Sequence, residues 1–66
     1  MEILINGAAH EEPEGQTVRG LLESLGLDPA RVAVEYDGQI SQRTEWGERV
    51  LHPGARLEIV HFVWGG

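Results

Sequence analysis

The stretch TVRGLLESLG, Thr17 to Gly26, carries the one helical period in this 66-residue chain. Val18, Leu21, Leu22 and Leu25 fall at i, i+3, i+4 and i+7, which lines them up as a single apolar stripe. Thr17 stands just before the stripe, where a hydroxyl satisfies an orphan amide of the first turn. Gly26 stands just after it, where a left-handed residue closes a helix. The spacing therefore predicts a helix from Val18 to Leu25. Gly20 lies inside its first turn, where alanine is favoured by about 1 kcal/mol. Two turns with one apolar face have to bury that face against something, and the flanking sequence offers only strands.

Upstream, MEILI (Met1 to Ile5) is a β-rich start followed by Asn6-Gly7. Asn-Gly is a strong hairpin signal because both residues tolerate the positive φ of a type I′ turn. The return, AAHEEP, is polar, and Pro13 confines it to a short edge strand. Downstream, Leu27 turns toward the core and Asp28-Pro29 opens a new segment. VAVEY then alternates, with Val32, Val34 and Tyr36 on one side and Ala33 and Glu35 on the other. Asp37-Gly38 is a second hairpin turn, and Gln39 to Ser41 is a short return. RTEWGERVL is irregular with room for one helical turn, anchored by Trp46, Val50 and Leu51. His52-Pro53-Gly54 leads into a final strand from Arg56 to about Val63.

The order is ββαββ(turn)β, an α+β pattern. One helix and one sheet, each with one apolar face, pair most economically as a mixed four- to five-stranded sheet folded over the single main helix. The two end strands, MEILI and LEIVHFV, are the most hydrophobic and suit adjacent central positions. That arrangement is a β-grasp, the ubiquitin-like fold. Residues 1–63 are expected to form this domain, with 64–66 a flexible tail ending in Gly-Gly.

Bulk properties narrow the function. Sixty-six residues make one domain, and a chain of roughly this size buries only about 60% of its unfolded surface. That leaves little volume for an enclosed catalytic pocket, so no catalytic residue is assigned. There are no cysteines, which removes thiolate nucleophiles, thiolate metal sites and disulfides together. A domain this small without staples points to the cytoplasm. MEILING has no basic n-region or long apolar core, so it is not a signal peptide. No apolar run approaches the ~18 residues of a membrane span. Eleven acidic residues against five basic ones give a net charge of −6, which disfavours nucleic acid and favours a partner with a basic face.

Four stretches together resemble the ubiquitin-like sulfur carriers, most closely the thiamine-biosynthesis sulfur carrier (ThiS) family. They are the MxIxING opening, the TVxxLLxxLG helix, the segment VAVEYDGQISQRTEW, and the end RLEIVHFVWGG, and they span almost the whole chain. The resemblance implies a protein that is a substrate for other enzymes. Its terminal carboxylate, here on Gly66, is adenylated by an E1-like activating enzyme that uses ATP and magnesium; the carrier itself binds no cofactor. The adenylate becomes a thiocarboxylate, with sulfur from a donor protein, and thiazole synthase takes that sulfur to build the thiazole of thiamine. Family members commonly carry a small residue or a third glycine before Gly-Gly. Here it is Trp64, which leaves open the partner this tail fits.

The chemistry suits such a tail. A carboxylate is a poor electrophile, and a mixed anhydride with AMP splits one hard transfer into easier steps. Gly65 and Gly66 lack a Cβ, so they fit a narrow partner channel. Trp64 is an aromatic of the type enriched at interface hot spots. If Leu57 and Ile59 face the helix, alternation turns Glu58, Val60 and Phe62 outward, with Leu4 on the same outer side. Leu4, Val60 and Phe62 are therefore expected to form an apolar partner surface. His10, His52 and His61 lack the spacing of a metal site, and no metal is expected. Glu11, Glu12 and Glu14 read as a solvated face. No Gly-rich phosphate loop is present, since Gly15 and Gly20 lack a following Lys-Ser/Thr. The alternatives are a molybdopterin-synthase-type small subunit or another pathway's carrier, a ubiquitin-like modifier, and a plain binding module. The absence of lysine rules out lysine-linked chains of the protein on itself.

Overall fold

The computed structural model describes residues 1–62, and two tight hairpins set their course. β1 (Glu2–Ile5) returns as β2 (Ala8–Glu11), and β3 (Val32–Tyr36) returns as β4 (Gln39–Ser41). Both turns hold two consecutive residues at positive φ: Asn6 and Gly7 at 50° and 84°, Asp37 and Gly38 at 49° and 85°. This is the type I′ geometry whose twist matches the strands it joins. β5 (Arg56–His61) inserts between the hairpins, parallel to β1 and antiparallel to β3, giving the order β2-β1-β5-β3-β4. The end strands are neighbours, as their hydrophobicity predicts, and the five-stranded mixed sheet over one helix is the expected β-grasp. Arg56 starts β5 as anticipated, while Val63 and the expected tail, Trp64, Gly65 and Gly66, lie outside the described residues.

The helix α1 (Val18–Ser24) begins as its sequence dictates. Thr17 is extended, and its hydroxyl oxygen accepts from the Gly20 N–H at 3.0 Å. It ends one residue earlier than predicted. The Gly26 N–H donates to the Glu23 carbonyl and the Leu27 N–H to the Leu22 carbonyl, both at 3.0 Å, with Gly26 at φ 72°. That pair of bonds is a Schellman closure. It leaves Leu25 as the capping residue, 37% exposed, so the predicted stripe holds for Val18, Leu21 and Leu22 and fails at its fourth member. Gly20 also differs from expectation. The space its Cβ would fill holds the Gln16 side-chain oxygen, which accepts from the Thr17 N–H at 3.2 Å. The helical preference for alanine is offset there by the displacement of Gln16.

The core lies between α1 and the sheet. Ile3 and Ile5 from β1, Val32, Val34 and Tyr36 from β3, and Leu57 from β5 meet Val18, Leu21 and Leu22. Trp46 closes one end, buried as expected, with its indole N–H donating to the Ser41 carbonyl at 3.0 Å. It is placed by a 3₁₀ turn at Arg43–Glu45, where Gln42 and Glu45 cap each other reciprocally. Leu51 is a core residue as well, but Val50, read as an anchor, is exposed. Its backbone is what matters: it bridges Thr17 and accepts the Tyr36 hydroxyl.

His52, which lacks the spacing of a metal site, is part of a structural stitch. Asp37, at the tip of the β3–β4 turn, accepts from the Arg56 N–H at 3.0 Å and meets His52 Nε2 at 2.6 Å. The other ring nitrogen, Nδ1, lies 2.8 Å from the Pro53 carbonyl. Both ring nitrogens face acceptors, so only the imidazolium satisfies both. The Asp37 hydrogen bond, then the Pro53 carbonyl, raise the His52 pKa. The His52 hydrogen bond, then the Arg56 amide, lower that of Asp37. Folding thus favours charged His52; that stabilisation is complete below histidine's ordinary value and is lost as pH rises through the raised one. The Asp37 contribution is present above the ordinary carboxylate value and is lost as pH falls through the lowered one.

Two measurements check this description. In urea denaturation, Leu21→Ala is expected to cost about 2–5 kcal/mol as a core cavity, and Leu25→Ala less than about 1 kcal/mol; equal losses would contradict the helix closure. Thermal melts at about pH 5.5 and about pH 8.5 should show wild type losing its advantage over His52→Gln at the higher pH. An advantage independent of pH would rule out the charged stitch.

Candidate functional site

The site is built on β5, the central strand of the five. On the β3 side its hydrogen bonding continues to Phe62, whose N–H donates to the Arg31 carbonyl at 2.7 Å. On the other side β1 pairs only as far as Ile5 with Leu57. Asn6 then takes over. Its side-chain oxygen accepts from the Ile59 N–H at 2.8 Å, and its side-chain nitrogen donates to the Ile59 carbonyl at 3.1 Å. One amide thereby replaces a residue of β-ladder and holds β5 three residues before Phe62. Sequence reasoning missed this role, because positive φ at a turn already accounts for an asparagine there. The same side chain serves two ends of the chain that are 53 residues apart.

Alternation along β5 places Leu57 in the core and packs Ile59 against it, while Glu58, Val60 and Phe62 are exposed. Val60 is 54% and Phe62 42% exposed. Leu4 takes the same outer side of the sheet but does not join them. It is level with Arg56, and Val60 lies four residues further along, about 13 Å at strand spacing. A residue not anticipated stands nearer. Ile40 on β4, 73% exposed, is opposite Glu35, which is opposite Glu58. Counting parity across the Asp37-Gly38 turn is the signal that would have found it.

The outer face therefore reads Ile40, Val60 and Phe62 around Ala33, with Glu35 and Glu58 to one side. Gly66, Gly65 and Trp64 lie outside the described residues, so the structure gives the base from which they continue in sequence and nothing of their geometry. Elsewhere the chemistry is sparse. Among the described residues, no three metal-binding side chains cluster, and no helix is long and apolar enough to cross a membrane. Of the glutamates read as solvated, Glu11 lies 3.5 Å from the amino group of Met1, and Glu12 accepts from the Gln16 amide nitrogen at 3.2 Å.

Known proteins resemble the chain along its whole length. The family model for the ThiS family matches residues 2–66. The chain is 41% identical over 66 residues to a thiazole synthase of Magnetococcus marinus, covering all of this chain and 20% of that protein; it thus spans a fifth of the length of that relative. It is 33% identical to the sulfur carrier protein ThiS of Escherichia coli, over the whole of both chains. A crystal structure of the thiamine biosynthesis protein ThiS from Geobacter metallireducens matches it with a TM-score of 0.86 at 26% identity, each chain fully covered. By sequence and by fold, this chain belongs to the ThiS family.

Proposed function

We propose that this chain is a sulfur carrier of thiamine biosynthesis whose reactive group is the α-carboxylate of Gly66. The observation that carries this reading is the setting of β5. It is gripped by pairing with β3, which the Arg31 carbonyl just before β3 extends to Phe62, and by Asn6 at Ile59, and Val63-Trp64-Gly65-Gly66 follow Phe62 in sequence. The alignment with the Escherichia coli carrier, which covers the whole of both chains, supports the carrier reading.

The chemistry follows from the weakness of a carboxylate as an electrophile. One oxygen of the Gly66 carboxylate attacks the α-phosphorus of ATP, with magnesium, in the active site of an E1-like adenylating enzyme, and pyrophosphate leaves. Hydrosulfide supplied by a donor protein adds to the acyl carbon, the bond to AMP breaks, and loss of the S–H proton leaves the chain ending in a thiocarboxylate. Each step is easier than direct exchange of oxygen for sulfur. The carrier lacks cysteine, so it has no thiol that would capture its own activated end. Gly65 and Gly66 offer no Cβ to a narrow channel, with Trp64 as the aromatic anchor ahead of them and Val60 and Phe62 on the docking face. The second partner is thiazole synthase. The likeness to one-fifth of a thiazole synthase chain supports this, since a domain joined to that enzyme is held near it. The carrier does no catalysis itself and works in the cytoplasm with its enzymes.

Intact mass tests the reading. Incubated with the adenylating enzyme, ATP and a sulfur source, the wild-type chain should exchange one oxygen for one sulfur. The same chain with one residue added after Gly66 should not; a loaded extended chain would refute the site. Asn6→Gly keeps the turn conformation and removes the amide. It should cost about 1–2 kcal/mol of stability and speed hydrogen exchange at the Ile59 amide. Protection equal to wild type would show that the clamp holds nothing.

A further inference from the structure

The outer face holds a shaped feature beyond its apolar character. Ala33 on β3 is opposite Val60 on β5, and Glu35, two residues on, is opposite both Glu58 and Ile40. The small side chain of Ala33 leaves a hollow of about 120 Å³ lined by Ala33, Ile40, Val60, Glu35 and Glu58. Its walls are aliphatic and one end is doubly acidic. Like charges directly opposite on one sheet face destabilise the pair, and no ion pair among the described residues includes either glutamate. The ion pairs among the described residues join Met1 to Glu11, Arg31 to Asp28 and His52 to Asp37. Arg56 shares the face with Glu58 and forms no ion pair with it. In a chain of net charge −6, this concentrates negative potential at one hollow.

We infer that the hollow is a socket for one arginine or lysine side chain of the partner protein, the aliphatic stem lying over Ala33 between Ile40 and Val60 and the cation between Glu35 and Glu58. Long cationic side chains bury their stems on apolar surface while keeping the head at a polar site. Docking removes water from the two carboxylates, and a cation between them replaces their repulsion with two attractions. A second copy of this chain would face Glu35 and Glu58 with the same acidic face. The occupant is therefore a basic protein surface. The inference rests on the carrier reading, and it names the chemistry by which an enzyme engages this face.

The test uses the full chain and purified thiazole synthase from the same organism, with binding followed by calorimetry at low and high salt. The double variant Glu35→Gln, Glu58→Gln should bind at least about tenfold more weakly, with a shallower salt dependence. It should melt no lower than wild type, because a repulsion has been removed. Ala33→Leu fills the hollow at unchanged charge and should weaken binding comparably. Binding of the glutamine variant within twofold of wild type at both salts would overturn the socket, as would a lowered melting temperature. Wild-type dimers in sedimentation that the glutamine variant abolishes would assign the face to a second copy and also overturn it. Intact mass of wild type after incubation with the adenylating enzyme judges the carrier reading separately. A chain that loads sulfur but ignores the glutamates sinks the socket alone, whereas a chain that never loads removes the carrier and leaves the socket to the binding data.

Discussion

The parallel pairing of β1 with β5 is the constraint on which the rest of the molecule depends. It joins the two ends of the sequence, through Leu4 with Arg56 and Ile5 with Leu57. Parallel neighbours cannot be joined by a hairpin and need a long connection; here it holds β2, α1, β3 and β4. Everything between the end strands is thus obliged to lie over one side of the sheet or beside it. Because the register shows only two residue pairs, the contact needs reinforcement. Asn6 supplies it at Ile59, and the Leu4 amide adds a bond to the Ala55 carbonyl at 2.8 Å.

The same constraint explains why the outer face is bare. A seven-residue helix can cover one side of five strands and no more. The apolar material in this short chain is spent on that side, where Val18, Leu21, Leu22, Val32 and Trp46 are almost wholly buried. Sheets of this kind usually solvate their second face with alternating polar residues. Here Ile40, Val60 and Phe62 occupy it, and Glu35 faces Glu58 across it. Neither choice helps the isolated domain to fold. The exposed aliphatics gain nothing until covered, and the carboxylates repel. Such local conflict between sequence and stability is what a surface under selection for something other than folding displays.

Much of this was legible before any coordinates. The helix, both type I′ turns, the inward set Val32, Val34 and Tyr36, and the placement of Val60 and Phe62 on the outer side follow from period and turn chemistry alone. These are local rules. What was not legible depends on register. Leu4 has the parity of Val60 but lies four positions away along the neighbouring strand, and parity carries no information about offset. Leu25 has the helical spacing of a core residue, yet the Schellman closure at Gly26 makes it a cap. Asp37 and His52 are distant in sequence and meet because two turns stack at one end of the sheet. The tail is the opposite case. Sequence names Gly66 most clearly of all, while the described structure stops at its base.

That contrast bears on how a carrier is recognised. Two glycines and a carboxylate offer a partner almost nothing to read: no side chain, one charge, and a backbone common to every chain that ends this way. Beyond Trp64, binding energy that distinguishes this protein must come from the folded body, and electrostatic complementarity is suited to the task because it rejects wrong partners as well as attracting right ones. On the proposed reading, the chain must also leave each enzyme it engages. Apolar contact alone strengthens with area and gives slow release, whereas a cation of the proposed kind, paired with Glu35 and Glu58 at the rim of an open hollow, would act on the encounter rate as well. A sheet face with modest aliphatic cover and a concentrated acidic end is therefore the physical compromise that repeated delivery requires.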